Sequence, residues 1–451
     1  MLKVLRSFLK VASHPKPYTL VPIHMLDIKF IRENKDLVQK GADKKKIKFD
    51  VNKLLKIDEE RRRLLLSTEK KRSIQNDVSE KIARASLPEE RNKLIDEMKL
   101  VKESMEKEQE ELDSVLKKWQ KLMVEAPNIP DISVPEGESD KDNKEIRTWG
   151  EIPKFNFIPK FHIEIMESLD MIDLEKGAEV SGFRGYFLKN DGALLDFALW
   201  QFAVEHFAGK LGLRPMIVPS LVRRETLIGT GYLPQGEEDM YKTQDGDYLA
   251  GTGEVATMSY FAGKVLEKSE LPKKVLAFSP CFRREAGSHG KDVKGIYRVH
   301  EFMKFEQVVI CEASHETSVK FHEEITENSE KFLQALGIPY RVVVNCGGDL
   351  GLGQVKKYDI EAWVPSQNMY RETHSSSYFH DFQTRRLNIR YKDADGKMRF
   401  AHSLNNTGSA TPRFLIQVIE NNQQEDGTIK VPEVLRKYMG KEVIRKPEGK
   451  I

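Results

Sequence analysis

Between Asp50 and Val124 the chain loses its aromatic residues apart from Trp119, fills with charge, and spaces its apolar residues three and four apart. That spacing puts side chains on one face of a helix. In the second half the seam runs Leu94, Met98, Val101, Met105, Glu108, Leu112, Val115, Trp119, Leu122, with Glu108 the one polar interruption. The first half is rougher: Leu54, Ile57, Leu64, Val78 and Ile82 share a seam, but Arg61, Thr68, Lys71 and Gln75 occupy its middle. Between the halves, Ser86-Leu87-Pro88-Glu89-Glu90 reads as a helix cap with proline at the first helical position. The segment therefore predicts two long helices laid antiparallel as a hairpin, each roughly 50 Å long.

A hairpin with one buried stripe does not exist for its own stability. Heptads most often mean dimerisation, but here both partners of the coiled coil lie in one chain. Its surface carries Arg61, Arg62, Arg63, Lys70, Lys71, Arg72, Lys81 and Arg84. Such runs are ordinarily a solvated helix face, yet on a protruding lever they also suit a phosphate backbone.

The chain has 451 residues, enough for two or three domains. Its net charge of +3 is nearly balanced, so any nucleic-acid contact must come from local basic clusters. No apolar run reaches the length of a membrane span. Cys281, Cys311 and Cys346 are odd in number and far apart, which favours free thiols in a reducing compartment. His315 and His322 read as solvated helix residues. Residues 1–24 carry Lys3, Arg6, Lys10 and Lys16, an apolar Leu2/Leu5/Phe8/Leu9 face and no acidic residue. Two readings stand for this segment: an upstream extension without function, with translation beginning at Met25, or an organelle transit peptide.

After Ala126, residues 127–148 open with Pro127-Asn128-Ile129-Pro130 and form a linker rich in breakers. From Trp149 onward the composition is that of a globular domain. Strand-like runs appear at Met216 to Val218, Val275 to Phe278, Gln307 to Cys311, Tyr340 to Val344, Asp359 to Val364 and Leu387 to Tyr391. Helical patterns at Ala193 to Lys210 and Glu316 to Leu336 lie between them, and several connections are too short for crossover helices. The expected fold class is α+β, an antiparallel sheet flanked by helices.

Three polar blocks interrupt this domain. Phe282-Arg283-Arg284-Glu285 is followed by Arg298-Val299-His300-Glu301-Phe302 and then Glu306. Arg371-Glu372-Thr373-His374-Ser375 comes next, and Thr411-Pro412-Arg413 opens an apolar helical run. Cations beside a flat aromatic ring suit a nucleoside triphosphate. The glycines of Gly347-Gly348-Asp349-Leu350-Gly351-Leu352-Gly353 lack the Lys-Ser/Thr ending of a phosphate loop and read as a strand-to-loop turn.

In order and content the three blocks resemble motif 2, the metal-binding strand and motif 3 of class II aminoacyl-tRNA synthetases, and their details resemble the seryl family. The resemblance runs from Met25 almost to the end. It implies a tRNA-binding domain over 25–126, whose arm grips the long variable arm of serine tRNA, and a catalytic domain over 149–451. The implied reaction is activation of L-serine with ATP followed by transfer to the 3′ end of serine tRNA; whether selenocysteine tRNA is also charged stays open. Arg283 would bridge the serine carboxylate and the α-phosphate, and Arg298 and Arg413 would take the outer phosphates. Phe302 would stack on adenine, with Glu285 and the Val299 backbone at the base amine. Arg284, Thr373 and His374 complete the implied ATP site. Glu372 and Ser375 would hold magnesium with hard oxygen ligands. Thr252, Gly253, Glu254, Glu306, Asn405 and Thr407 match the family's serine pocket.

The family also implies a homodimer formed through a motif 1 centred on Arg214 to Arg223 with Pro219, and a cytoplasmic location unless residues 1–24 are a transit peptide. Two departures stand out: Gly253 where the family commonly has alanine, and Ser376 where it often has cysteine. Three other readings compete: a catalytically silent scaffold, a carrier-protein ligase, and a class II synthetase for another amino acid. The intact Arg283, Glu285, Glu372 and Arg413 argue against the first and the intact arm against the second. The Thr252-Gly253-Glu254 and Asn405-Asn406-Thr407 blocks argue against the third.

Overall fold

The heptad segment forms helices α3 (Val51–Arg84) and α4 (Pro88–Glu125), which pack antiparallel along their length. At 34 and 38 residues they span roughly 50 to 57 Å. The computed structural model describes residues 26–286, 292 and 294–447; the expectations for residues 1–24 fall outside them. Pro88 does open α4, but the capping position is Leu87, with no side-chain bond, and Ser86 does not cap.

Short helices α1 (Ile28–Glu33) and α2 (Lys35–Lys44) wrap the base of the arm, where Ile31, Val38, Leu54 and Met123 form a small core. Leu64, Leu112 and Val115 make a second cluster further out. Each fully buried side chain of this kind contributes about 1.5–3 kcal/mol. Between Thr68 and Leu112 no described residue is buried. The rough part of the seam is filled by polar contacts instead. Asp58 is buried and accepts from Arg61 at 2.8 and 3.0 Å, while the Arg61 guanidinium lies 4.5 Å from the centre of the Trp119 ring. Lys71 pairs with Glu108 at 2.8 Å across the seam.

The core is an eight-stranded sheet. In chain order its strands are β1 (Lys144–Trp149), β2 (Arg214–Ile217), β3 (Lys273–Phe282), β4 (Glu301–Cys311), β5 (Tyr340–Val344), β6 (Lys356–Val364), β7 (Met369–His380) and β8 (His402–Thr411). In space they run β1-β5-β6-β7-β8-β4-β3-β2. Every pair is antiparallel except β2 with β3 at the edge, so the sheet is mixed by one strand. Residues 144–148, inside the stretch read as linker from composition, already belong to the first strand of this sheet.

Helix α6 (His315–Leu336) and helix α7 (Arg413–Asn421) pack against the sheet. Their apolar faces join a core containing Phe202, Phe207, Phe332, Phe414 and Ile360. His322, expected to be solvated, is buried on α6: its ring stacks on Tyr358 and its Nε2 sits 3.0 Å from the Ser376 carbonyl. Burial pushes its pKa down to about 3. His315, at the start of α6, is exposed as expected. The run at Leu387 to Tyr391 does not join the large sheet; Arg390–Lys392 pairs in a separate three-stranded one. The Ala193 to Lys210 pattern is helical throughout, as an α-helix over Asn190–Ala203 continued by a π-helix over Val204–Lys210.

Candidate active site

Strands alternate their side chains between faces, so Phe302, Lys304 and Glu306 on β4 point the same way, into a cavity of about 420 Å³. The same cavity is lined by Thr252, Glu254, Arg283, Glu285, Arg298 and Val299. From the far strands and α7 come Glu372, Thr373, Ser375, Asn405, Thr407 and Arg413. Blocks more than a hundred residues apart thus face one another because β7, β8, β4 and β3 are neighbours in the sheet.

At one end the groups are cationic. Strands β3 and β4 form a hairpin in which Phe282 faces Glu301 and the Arg283 N–H donates to the His300 carbonyl at 3.0 Å. Arg283 reaches back over the Phe302 ring, 5.3 Å from its centre, and donates to the Gly251 carbonyl. Arg298 donates to Glu285 at 3.0 Å and to Asp292 at 3.1 Å. Glu285 holds a left-handed backbone, φ 54°, which a side chain adopts only when its surroundings impose it.

Tyr297 lies between two guanidiniums, with Arg371 4.0 Å and Arg413 4.4 Å from its ring centre, and its hydroxyl donates to the Glu372 carbonyl at 2.7 Å. Arg413 also approaches the Glu372 carboxylate at 3.5 Å. Burial works to raise the pKa of Glu372, but Arg413, Lys357, Arg283 and Arg298 around it outweigh burial and hold it below the usual carboxylate value.

The other end is a compact polar pocket. Thr252 caps helix α5 (Gly253–Tyr260), accepting from the Glu254 N–H, and donates to Glu306 at 3.1 Å. Lys304 donates to the Thr252 hydroxyl at 2.8 Å and forms an ion pair with Glu306. Glu254 accepts from the Tyr232 hydroxyl at 2.7 Å and from Gln383 at 2.5 Å, while burial raises its pKa. Thr407 on β8 sits directly across from Glu306.

Three residues expected here do not line the cavity. Arg284 turns outward to the Glu238 carbonyl, because the side chain of Arg283 before it takes the inward direction. His374 is buried on the opposite face of β7, edge-on to Phe414. Gly253 sits beneath the pocket, where a Cβ would lie 3.3 Å from both Ala277 Cβ and Ser279 Oγ. Ser376 is buried and bonded by Thr326 at 2.8 Å. Lys304, Tyr232, Tyr297 and Gln383 were missed by motif reading. The period-two alternation from Phe302 to Glu306 would have found Lys304; no local signal marks the others.

Among the described residues no group of three or more His, Cys, Asp or Glu side chains could hold a metal by itself. On the arm, Arg62, Arg63, Lys70, Arg72, Lys81 and Arg84 are exposed, whereas Arg61 and Lys71 turn toward the partner helix.

The largely antiparallel sheet and the polar cavity on it are those of a class II aminoacyl-tRNA synthetase core, for residues 241–422 match the family described as tRNA synthetase class II core domain (G, H, P, S and T). Residues 25–130 match the Seryl-tRNA synthetase N-terminal domain. A serine–tRNA ligase of Deinococcus radiodurans is 45% identical over 94% of this chain and 100% of its own. Among solved structures, seryl-tRNA synthetase from Pyrococcus horikoshii complexed with ATP aligns with a TM-score of 0.86 at 39% identity, over 94% of this chain and 100% of that one. The cytoplasmic serine–tRNA ligase of Naegleria fowleri in complex with AMP aligns at 0.82 and 32%, with the same coverage. The chain belongs to the seryl-tRNA synthetase family.

Proposed function

We propose that this chain is an ATP-dependent serine–tRNA ligase that activates L-serine and transfers it to serine tRNA. The observation that carries the reading is one cavity holding both a cluster of arginines and the Thr252–Lys304–Glu306 pocket. A serine carboxylate oxygen attacks the α-phosphorus of ATP, the bond to the β-phosphate breaks, and pyrophosphate leaves. The terminal ribose hydroxyl of the tRNA then attacks the seryl carbonyl and expels AMP. The first attack needs no general base, because the nucleophile is already ionised; it needs alignment and cations on the phosphates.

Arg283, between the two ends of the cavity, bridges the serine carboxylate and α-phosphate. Arg298 and Arg413 take the outer phosphates, exchanging their contacts with Asp292 and Glu372 for phosphate oxygens. Phe302 stacks on adenine, with Glu285 and the Val299 backbone at its edge. Thr252, Glu306 and Thr407 take the serine ammonium and hydroxyl, with Asn405 beside them. A pocket of buried polar groups rejects alanine because those groups would be left without partners. Glu254 shapes this pocket through Tyr232 and Gln383.

Glu372 and Ser375 offer one carboxylate and one hydroxyl, a donor set that suits magnesium, which keeps several waters and takes phosphate oxygens from its substrate. When bound there, magnesium would neutralise phosphate charge. The edge strand β2 exposes Ile217 at 86%, and Leu221, Phe183 and Phe197 are exposed as well, apolar side chains of the kind that a homodimer would cover. No described helix is long and apolar enough to cross a membrane, and a cytoplasmic location fits the reading.

Pyrophosphate exchange with a panel of amino acids tests the proposal. Serine should support exchange while alanine and threonine do not; alanine as effective as serine would overturn the pocket assignment.

A further inference from the structure

The glycine-rich turn after β5 has a second face. Gly351, Leu352, Gly353 and Gln354 line the reaction cavity, yet their backbone is bonded from behind by the N-terminal domain. Lys45, just after α2, is fully buried, and its Nζ donates to the carbonyls of Gly351, Leu352 and Gln354 at 3.1, 2.9 and 2.6 Å. Burial pushes its pKa well below the usual lysine range. Three carbonyl acceptors call for three N–H donors, which only the ammonium form has. Asn128, just past α4, adds bonds from its backbone N–H to Leu352 at 2.9 Å and from its amide to Gly353 and Phe379 at 3.0 and 2.8 Å. The approach is close enough to demand glycine: a Cβ on Gly347 would lie 2.2 Å from the Lys44 carbonyl oxygen.

From this turn the contacts lead to the amino-acid pocket. A Cβ on Gly353 would meet the Phe382 ring at 2.5 Å, and the same ring lies 2.8 Å from the Cβ position of Gly231. Gly231 precedes Tyr232, whose hydroxyl holds Glu254, and Gln383, next to Phe382, holds the other oxygen of that carboxylate. Arg386 stacks on Phe382 at 3.9 Å and donates to the Val124 carbonyl at the end of α4. The arginine cluster at the phosphate end shares none of these contacts.

We propose that Lys45 is a positioning residue for serine: by clamping the Gly351–Gln354 carbonyls it holds the wall against which Phe382, Tyr232 and Glu254 set the amino-acid pocket, so that the base of the tRNA-binding domain is part of the activation site. The inference rests on the serine-activation reading above. A shift of about one ångström in such a wall changes rates by up to about a hundredfold.

The test uses the full chain. Lys45→Met should raise the KM for serine in pyrophosphate exchange by about tenfold or more and weaken L-serine binding by calorimetry, with the KM for ATP within about twofold. Lys45→Arg, which retains several donors, should recover most of the loss. Should Lys45→Met fail to fold, Asn128→Ala removes two of the carbonyl bonds and should show the same split between serine and ATP. An unchanged serine KM overturns the inference, as does a parallel rise in both KM values that Lys45→Arg does not relieve. Absence of serine-dependent exchange in the unmodified chain would instead sink the functional reading itself, so the two failures are separable.

Discussion

Lys304 and Glu306 stand two residues apart on one face of β4 and form a buried ion pair that also holds the Thr252 hydroxyl. Breaking such a pair from one side leaves an uncompensated charge, worth about 3–5 kcal/mol. Lys304→Met should therefore lower the thermal midpoint and, because Glu306 and the Thr252 hydroxyl lose their shared partner, raise the KM for serine while ATP affinity changes little. The Lys304→Met/Glu306→Gln double variant should lose less than the sum of the single changes, because the two residues act as a unit. Full additivity in this cycle would count against the pair.

Arg283 is the proposed bridge between the two substrates. Arg283→Ala should slow adenylate formation by about two to three orders of magnitude, the scale for removing a group that meets developing charge. Activity within a few fold of the unmodified protein would remove it from that role.

Glu372→Ala deletes the one carboxylate of the proposed magnesium site. Because that ion is held by few protein ligands, the variant should need far more magnesium for activation, while its thermal midpoint stays near that of the parent. A superimposable magnesium titration would place the metal elsewhere.

Replacing residues 69–111 by a short flexible linker removes the outer arm but keeps the apolar clusters at its base, Lys45, Asn128 and every cavity residue. Serine activation should survive nearly intact, whereas transfer to tRNA collapses. In the full chain tRNA affinity should fall steeply with salt, as expected when lysines and arginines such as Arg62 and Lys70 meet phosphates. A variant without the outer arm that charges serine tRNA as well as the parent would separate the outer arm from tRNA binding.

Most of the frame is legible in the sequence, but unevenly. The arm was plain because a single helical period governs it from Leu94 to Leu122. The apolar strands β5 and β6 also announced themselves, since their Val, Ile and Tyr residues fit a buried sheet. Pattern reading failed on β7 and β8, where Glu372, Thr373, Asn405 and Thr407 interrupt the apolar alternation; a strand that carries a site gives up the signal that marks a strand. Arg284 and His374 belong to the motif blocks but not to the cavity: Arg284, past the end of β3, bonds outward to the Glu238 carbonyl, and the alternation of β7 turns His374 to the opposite face. Lys45 and Tyr297 were invisible for a different reason. Each acts through partners far off in sequence, and no local spacing encodes such a meeting.

The arm carries one consequence for how such a protein changes over time. Since nothing described between Thr68 and Leu112 is buried, the outer half of the hairpin is under little packing constraint. Inserting or deleting two heptads in each helix at the tip would alter its reach by roughly 20 Å. Neither the clusters at its base nor the clamp on the active-site wall would be disturbed. The lever's length is thus free to drift, independently of the catalytic chemistry, to match the dimensions of the tRNA it is proposed to grip.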